Sequence, residues 1–298
     1  MMPKFDICII GHVTRDIIRI RDVTRKIPGG TAYYTSLPLQ RLGLNVAVIT
    51  KLAAEDKTSL LNELKQNGIT IFCGESPETT IFENIYHEET RSDRVQKVRA
   101  IATSFSPRDI DQVSAPVFHL GPLTKEDIPL KLLEELSKRN VLISLDIQGF
   151  IRNIENEIVR ESDWAGKQKG LVFVDILKAN INEARILTGE DNAEQAASRL
   201  AEYGPREIIV TLGNKGSVIY SNKQIYRIPA FPPKKIVDPT GCGDTYIAGY
   251  LYQRLRSSDH DKIGRFAAKL ATLKLETFGS LQLEGEALRT LTSDLDIL

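Results

Sequence analysis

The sequence has no net charge and no long hydrophobic run, and each absence excludes a class of protein. Its 298 residues contain 39 Lys and Arg and 39 Asp and Glu, so the overall charge does not favour binding to a nucleic-acid backbone or to anionic lipid. The first apolar run, residues 5–10, is too short for a membrane helix or a secretory leader. We therefore expect a cytoplasmic protein without nucleic-acid or membrane partners.

Cysteine is also scarce. The three cysteines, Cys8, Cys73 and Cys242, are widely separated and odd in number. This pattern favours reduced thiols over a disulfide framework or a zinc site. We expect no structural metal.

Short apolar runs alternate with helix-length amphipathic segments along most of the chain, a pattern typical of an α/β protein. The runs are rich in Val, Ile and Leu, which predicts a largely parallel central sheet covered by helices on both faces. Predicted strands are residues 5–10, 46–50, 117–120, 141–146, 171–176 and 208–211. Predicted helices include residues 58–67 and 129–139.

Two stretches, residues 17–28 and 80–103, show alternating polar and apolar side chains without a helix between them. They predict antiparallel strands that pair into a small sheet and form a lid, with two surface hairpins as the alternative. No linker-like tract is present, so we expect one domain over residues 1–298, with a lid from about 13–32 and 80–103. The apolar lid face suggests a homodimer formed through the lid.

The segment 237–249, VDPTGCGDTYIAG, is the most informative part of the chain. It predicts a turn that leads into a helix, so Gly241, Cys242 and Gly243 would present backbone N–H groups to an anion. Asp244 follows in the first turn, where a carboxylate would repel a bound phosphate. That position suits a general base that accepts a proton from an attacking hydroxyl, although a carboxylate that only complements the helix dipole fits equally well.

Two common nucleotide-binding motifs are excluded by spacing. A dinucleotide-binding G-x-G-x-x-G would need glycine at position 246, where the chain has Tyr246. The cluster at residues 213–217 lacks the order of a P-loop. A nicotinamide oxidoreductase and a P-loop kinase are therefore both disfavoured.

Residues 238–244 resemble the D-T-x-G-A-G-D signature of the ribokinase-like, phosphofructokinase-B type carbohydrate kinases. Three further segments resemble motifs of this family in the same order along nearly the whole chain: the Gly-Gly segment at 28–34, the N-x-x-E motif at 180–183, and the T-L-G-x-x-G turn at 211–216. The resemblance implies a kinase with an α/β domain and a β lid, which phosphorylates a small sugar or polyol.

For the donor side, the resemblance implies ATP and Mg²⁺, and it leaves the need for a monovalent cation open. Asp244 would be the base, and the amides of Gly241, Cys242 and Gly243 would stabilise the transferring phosphoryl group. Asn180 and Glu183 would hold hydrated magnesium, with a simple helix cap as the alternative. The nucleotide would be lined by Thr211, Gly213 and Gly216.

For the acceptor side, the resemblance implies that Asp16, Gly29, Gly30 and Tyr34 bind the substrate. The family commonly has Asn where this chain has Tyr34, which puts ribose specificity in doubt. A hydroxyl-rich hexose or a cyclitol such as inositol is favoured, with a nucleoside kinase as the alternative. A sensor without turnover is a second alternative, which the retained Asp244 disfavours. Residues 146–152 resemble the D-x-Q-G-x-x-R stretch of some sugar and inositol kinases of the family.

Overall fold

A computed structural model describes residues 4–20, 23–86 and 94–283 of the chain. Strands and helices alternate along most of it, as the sequence predicts. The strands are β1 (Ile7–Ile10), β2 (Thr14–Ile20), β3 (Val23–Gly29), β4 (Val46–Leu52), β5 (Thr70–Glu75), β6 (Ile81–Tyr86), β7 (Arg94–Ala100), β8 (Val117–Leu120), β9 (Leu142–Asp146), β10 (Arg152–Glu155), β11 (Ile158–Glu161), β12 (Ile176–Asn180), β13 (Glu207–Thr211), β14 (Ser217–Ser221) and β15 (Gln224–Ile228). The helices are α1 (Thr31–Arg41), α2 (Lys57–Gln66), α3 (Leu130–Ser137), α4 (Gln148–Ile151), α5 (Lys167–Leu171), α6 (Ile181–Thr188), α7 (Ala193–Ala201), α8 (Cys242–Arg254) and α9 (His260–Leu275).

The larger sheet of the described residues has nine strands in the order β15-β14-β13-β12-β9-β8-β1-β4-β5. The strands from β13 to β5 are all parallel to their neighbours, and β14 and β15 add an antiparallel hairpin at one edge. The predicted α/β class with a largely parallel sheet is confirmed.

Both faces of the larger sheet are covered, as β1 shows. Ile7 and Ile9 belong to one hydrophobic cluster, whereas Cys8 and Ile10 belong to another, and all four side chains are fully buried. Since successive strand residues point to opposite faces, the two clusters lie on the two sides of the sheet. Helices α1, α8 and α9 contribute to the first cluster, and α3, α6 and α7 to the second.

The smaller sheet of the described chain has the order β10-β11-β7-β6-β2-β3. Its strands β2, β3, β6 and β7 overlap the two stretches that the sequence predicts as strands, with β2 starting earlier, at Thr14, and each stretch forms an antiparallel pair. The two pairs, however, are joined by parallel pairing of β2 with β6. Strands β10 and β11 were not predicted, because two short strands around a turn at Asn156 and Glu157 carry little periodic signal.

Part of the apolar surface of the smaller sheet is covered within the chain, whereas Val23 on β3 is 55% exposed. Phe82 and Val98 are buried against Leu123, with Ile154 and Val159 beside them. These clustered side chains are therefore buried without a second copy of the chain. The lid role and the homodimer both stay predictions.

One predicted strand, residues 171–176, is wrong. Helix α5 ends at Leu171, and the strand begins only at Ile176 and runs to Asn180. Leu171, the last residue of α5, and Val174, in the turn that follows, are both buried. A buried apolar turn has the same composition as a buried strand, so periodicity alone does not separate the two. Among the described residues, no helix is both long and apolar enough to cross a membrane.

Candidate active site

The turn before α8 is fixed by its own hydrogen bonds. The Asp238 carboxylate accepts from the Thr240 amide at 3.0 Å, and the Cys242 amide donates to the Pro239 carbonyl at 3.2 Å. Gly241 is the N-cap of α8 with φ of +77°, a left-handed conformation that favours glycine. A Cβ at this position would also lie 2.3 Å from the Tyr34 ring. The sequence thus places the N-terminus of α8 directly against Tyr34.

Asp244 lies in the first turn of α8, on the wall of a cavity of about 560 Å³. Its Oδ1 atom is buried and has no hydrogen-bond partner among the described residues. Burial, followed by the nearby Asp146 carboxylate, raises the pKa of Asp244 to about 7. A buried carboxylate oxygen without a partner, on a cavity wall, is available to accept a proton.

Lys178 is a charged residue that the sequence analysis did not single out. Its Nζ atom lies 2.6 Å from Asp146 Oδ2, and both side chains are buried. Burial opposes the charged form of Lys178, but the surrounding carboxylates, Asp146 first, raise its pKa above the usual range. A Cβ on Gly243 would lie 2.9 Å from Nζ, so the ammonium is close to the N-terminus of α8. The sequence does contain a hint of its role, because Lys178 stands among the apolar residues Ile176, Leu177 and Ala179 of β12.

Asn180 and Glu183 form a capping box at the start of α6. Asn180 Oδ1 accepts from the Glu183 amide at 3.0 Å, and Glu183 Oε2 accepts from the Asn180 amide at 2.7 Å. The cap that the sequence analysis kept as an alternative is therefore present. Both residues also line the cavity that contains Asp244. Burial, then the charge of Asp146, raises the pKa of Glu183 to about 7.

The carboxylates on the wall of this cavity fit a magnesium ion that is held through water. The described residues contain no cluster of three or more His, Cys, Asp or Glu side chains that would hold a metal by itself. Mg²⁺ usually keeps several waters and binds through one or two carboxylates together with substrate phosphates. The carboxylates of Glu183 and Asp244 on the same wall, one with an unpartnered oxygen, match that requirement.

The predicted acceptor residues Asp16, Gly30 and Tyr34 line the same cavity. The Tyr34 hydroxyl is buried without a partner among the described residues. Asp16 Oδ1 accepts from Thr14 Oγ1 at 2.7 Å. Gly30 lines the cavity, but Gly29 does not; a Cβ on Gly29 would lie 2.3 Å from Asp16 Oδ2. Gly29 therefore makes room for the Asp16 carboxylate.

Two polar residues of this cavity, Asn84 and Gln96, were not singled out from the sequence, whereas Arg152 ends the D-x-Q-G-x-x-R stretch. The smaller sheet contributes Asn84 and Gln96, whose side-chain amides are 2.9 Å apart. Arg152, at the start of β10, donates to Gln148 Oε1 at 3.0 Å and lies over the ring of Phe82. Asn84 and Gln96 carried no motif, and only the sheet pairing brings them to the site.

A second cavity, of about 590 Å³, lies on the other side of the Gly-Cys-Gly turn. Both cavities share the walls formed by Thr211, Gly213 and Gly243. Gly216 lines only the second cavity. The remainder of its wall is mostly apolar: Ala230, Phe231, Pro232, Pro233, Ile236, Tyr246, Ala268, Ala271 and Leu275. The turn before α8 thus separates a polar cavity from an apolar one.

The Cys242 side chain is poorly suited to nucleophilic chemistry. Burial raises the pKa of its thiol to about 12. A thiol is nucleophilic only as the thiolate. The contribution expected from Cys242 is therefore the main chain of the turn.

These features agree with comparisons against known proteins. The sequence model described as pfkB family carbohydrate kinase matches residues 4–284. The chain belongs to this family. As a pfkB family member with named kinases among its relatives, it is a phosphotransferase that acts on an alcohol group.

Two curated relatives cover almost the whole chain. A nucleoside kinase of Methanothermobacter thermautotrophicus is 39% identical over 98% of this chain and 97% of its own. A cytidine kinase of Thermococcus kodakarensis is 28% identical over 92% of this chain and 97% of its own. One similar solved structure is a pyrophosphate-dependent kinase of the ribokinase family, complexed with a pyrophosphate analog and myo-inositol. It superposes on this chain with a TM-score of 0.86 and is 26% identical in sequence. The match covers 96% of this chain and 99% of that chain. The pfkB kinases similar to this chain thus differ in acceptor and in donor.

Proposed function

We propose that this protein is an ATP-dependent kinase that transfers the γ-phosphoryl group to a hydroxyl of a small sugar or cyclitol. The observation that carries the proposal is Asp244, whose buried, unpartnered oxygen lies on the wall of the polar cavity, next to Gly243, which lines both the polar and the apolar cavity. The acceptor would occupy the polar cavity and the nucleotide the apolar one. Asp16, Gly30 and Tyr34 would bind the acceptor.

Asp244 would act as general base. A base works best when its pKa is near the working pH, and the pKa of Asp244 is raised to about 7. It would accept the proton of the acceptor hydroxyl as the oxygen attacks the γ-phosphorus and the bond to the leaving ADP oxygen breaks. The nearby Lys178 ammonium stabilises the negative charge on this wall before the proton arrives.

The transferring phosphoryl group would be stabilised at the N-terminus of α8. The Cys242 amide already donates within the turn, so the amides of Gly241 and Gly243 are the donors we assign to the phosphoryl oxygens. The positive end of the α8 dipole adds to their effect. Magnesium, when bound with the nucleotide, would neutralise phosphate charge, and Glu183 and Asn180 would orient its waters.

The apolar cavity supports ATP over pyrophosphate as donor. Pyrophosphate carries no apolar group, so a pyrophosphate site gains nothing from walls such as Phe231, Ala268 and Leu275. A nucleobase, in contrast, is bound well by an apolar slot with a few polar groups. The solved pyrophosphate-dependent relatives make inorganic pyrophosphate the necessary comparison.

The polar cavity supports a hydroxyl-rich acceptor. Asp16 offers only hydrogen-bond acceptors, and the amides of Asn84 and Gln96 offer both donors and acceptors. Such a lining suits a ring with hydroxyls on most of its carbons, such as inositol or a hexose. The second candidate is a nucleoside, because two of the curated relatives are a nucleoside kinase and a cytidine kinase, and because the Phe82 ring lies on the cavity wall.

One matrix of assays tests the proposal. The protein with Mg²⁺ is incubated with ATP or pyrophosphate and with myo-inositol, fructose, ribose, cytidine or adenosine, and the phosphorylated product is detected by mass. Turnover of inositol or a hexose with ATP supports the proposal. A preference for cytidine or adenosine moves the assignment to the second candidate, and a preference for pyrophosphate overturns the donor assignment. The Asp244→Asn variant is the matched control for contaminating kinases.

A further inference from the structure

Lys274 is a buried cation that the proposed chemistry does not use. It lies in the last turn of α9, its side chain is fully buried, and it is not on the wall of either cavity. A buried charge is costly unless it is paired and hydrogen-bonded. Its contacts therefore identify the part of the molecule that depends on it.

The Lys274 ammonium is held by the turn that leads to the α8 N-terminus. Nζ donates to the Asp238 carbonyl at 3.0 Å and to the Thr277 carbonyl at 3.2 Å, and it lies 3.7 Å from Asp238 Oδ2. Burial lowers the pKa of Lys274, and the Asp238 carboxylate opposes this shift. The ammonium form of Lys274 is thus stabilised by the oxygens of Asp238 and by the Thr277 carbonyl.

Further bonds join the same two segments. The Val237 amide donates to the Leu275 carbonyl at 2.7 Å, and the Gly279 amide donates to Asp238 Oδ2 at 3.3 Å. Asp238 Oδ1 in turn accepts from Thr240. The end of α9 and the segment after it therefore hold the turn through Asp238, only three residues before the Gly241 N-cap.

Two main-chain carbonyls and a carboxylate are also the donor set that a hard monovalent cation would use. In this chain the Lys274 ammonium already occupies the space between them. A potassium or sodium ion does not fit there together with the ammonium, because two positive charges would share one carboxylate.

We propose that Lys274 is a built-in cation that positions the turn at residues 238–241, and that phosphoryl transfer by this protein consequently needs no monovalent metal ion. Lys274 is a positioning residue, because it acts on the Gly241 and Gly243 amides through Asp238. The inference rests on the proposed function only where it is tested by enzyme kinetics.

The test removes the ammonium and offers a replacement ion. Lys274→Met should lower kcat by roughly 10- to 100-fold through misplacement of the phosphoryl-binding amides, with the acceptor KM little changed. Potassium or ammonium chloride should restore part of the loss in the variant, whereas tetramethylammonium chloride at equal ionic strength should not. Lys262→Met, on the first turn of α9, is the matched control and should behave as wild type.

A second readout does not depend on catalysis. An ion that binds only the folded state raises the melting temperature, so potassium should stabilise Lys274→Met more than tetramethylammonium does, and should not do so for wild type. This measurement remains decisive if no acceptor is phosphorylated, which would count against the proposed function alone. Lys274→Gln serves if the methionine variant does not fold.

Two results would overturn the inference. The first is a rise in the turnover or melting temperature of the wild-type protein that is specific to potassium. The oxygens of Asp238 and Thr277 would then bind an ion although Lys274 is present. This result needs no variant. The second is a folded Lys274→Met or Lys274→Gln protein that gains neither activity nor stability from potassium or ammonium. In that case the lysine would only pack the core.

Discussion

Lys178 Nζ lies 2.6 Å from Asp146 Oδ2, and this buried ion pair lies next to Gly243 at the start of α8. The pair links β9 and β12, two adjacent strands of the larger sheet, to the helix N-terminus at which phosphoryl transfer is proposed. Asp244 and Glu183 both lie within the field of the same two charges. The ion pair therefore influences the pKa of both Asp244 and Glu183, and it also contributes to the stability of the folded protein.

Removal of the lysine tests this link. Lys178→Met leaves the Asp146 carboxylate buried without its partner, which costs about 3 to 5 kcal/mol of unfolding free energy. Denaturation by urea measures the loss. The double variant Lys178→Met with Asp146→Asn should recover a large part of it, because no buried charge remains; an equal loss in both variants would contradict the account.

The close approach at Gly243 gives a second prediction. Gly243→Ala places a methyl group 2.9 Å from the position of Lys178 Nζ, so either the ammonium or the first turn of α8 must move. We expect kcat to fall by roughly 10-fold or more. Cys242→Ala is the control and should be nearly silent, since the thiol takes no part. Loss of activity in folded Cys242→Ala would show that the side chain matters after all.

Asp16 tests the assignment of the polar cavity to the acceptor. Loss of a hydrogen bond to a charged group costs about 1.5 to 3 kcal/mol, so Asp16→Ala should lower kcat/KM for the true acceptor by roughly 10- to 150-fold. The KM for ATP should change little, because the nucleotide is assigned to the other cavity. Steady-state kinetics with each substrate varied in turn measures both. Equal losses for the two substrates would place Asp16 outside the acceptor site.

The pH dependence follows from the raised pKa of Asp244. The base works only when deprotonated, so kcat/KM for the acceptor should rise with pH and level off above a midpoint near pH 7. Glu183 has a pKa raised to the same value, so Glu183→Gln is the necessary comparison. In this variant kcat/KM for the acceptor should be lower at every pH but should still rise towards pH 7. Loss of this rise in Glu183→Gln would assign the titration to Glu183.

The fold, and the local structure around the candidate donor-side residues, could largely be predicted from the sequence, because local patterns determine them. Buried parallel strands are apolar throughout, and the turn before α8 carries its glycines and Asp244 in one contiguous segment. The N-x-x-E spacing likewise fixes both ends of the capping box at Asn180 and Glu183. Such signals need no knowledge of distant contacts.

The acceptor side was only partly readable, because it depends on pairing between distant segments. Asn84 and Gln96 reach the cavity through pairing of β6 with β7, and Arg152 through its stacking on Phe82. The parallel pairing of β2 with β6 has no local signature either. Lys178 and Lys274 were missed for a related reason: a single lysine in an apolar element shows its partner only when the fold brings that partner close.

The central claim, that Asp244 is the general base, is tested most directly by Asp244→Asn with ATP and the acceptor found in the assay matrix. We predict that kcat falls roughly 100- to 10,000-fold. ATP affinity should be kept or improved, because a negative charge beside the phosphates is removed. At pH 8 the variant should also melt at a higher temperature than wild type. The pKa of Asp244 in the folded state, about 7, lies above its unfolded value. Ionisation of the buried carboxylate therefore lowers the stability of the wild type as pH rises from the unfolded pKa to about 7, and the full loss is present at pH 8. Near-normal turnover of folded Asp244→Asn would contradict the account.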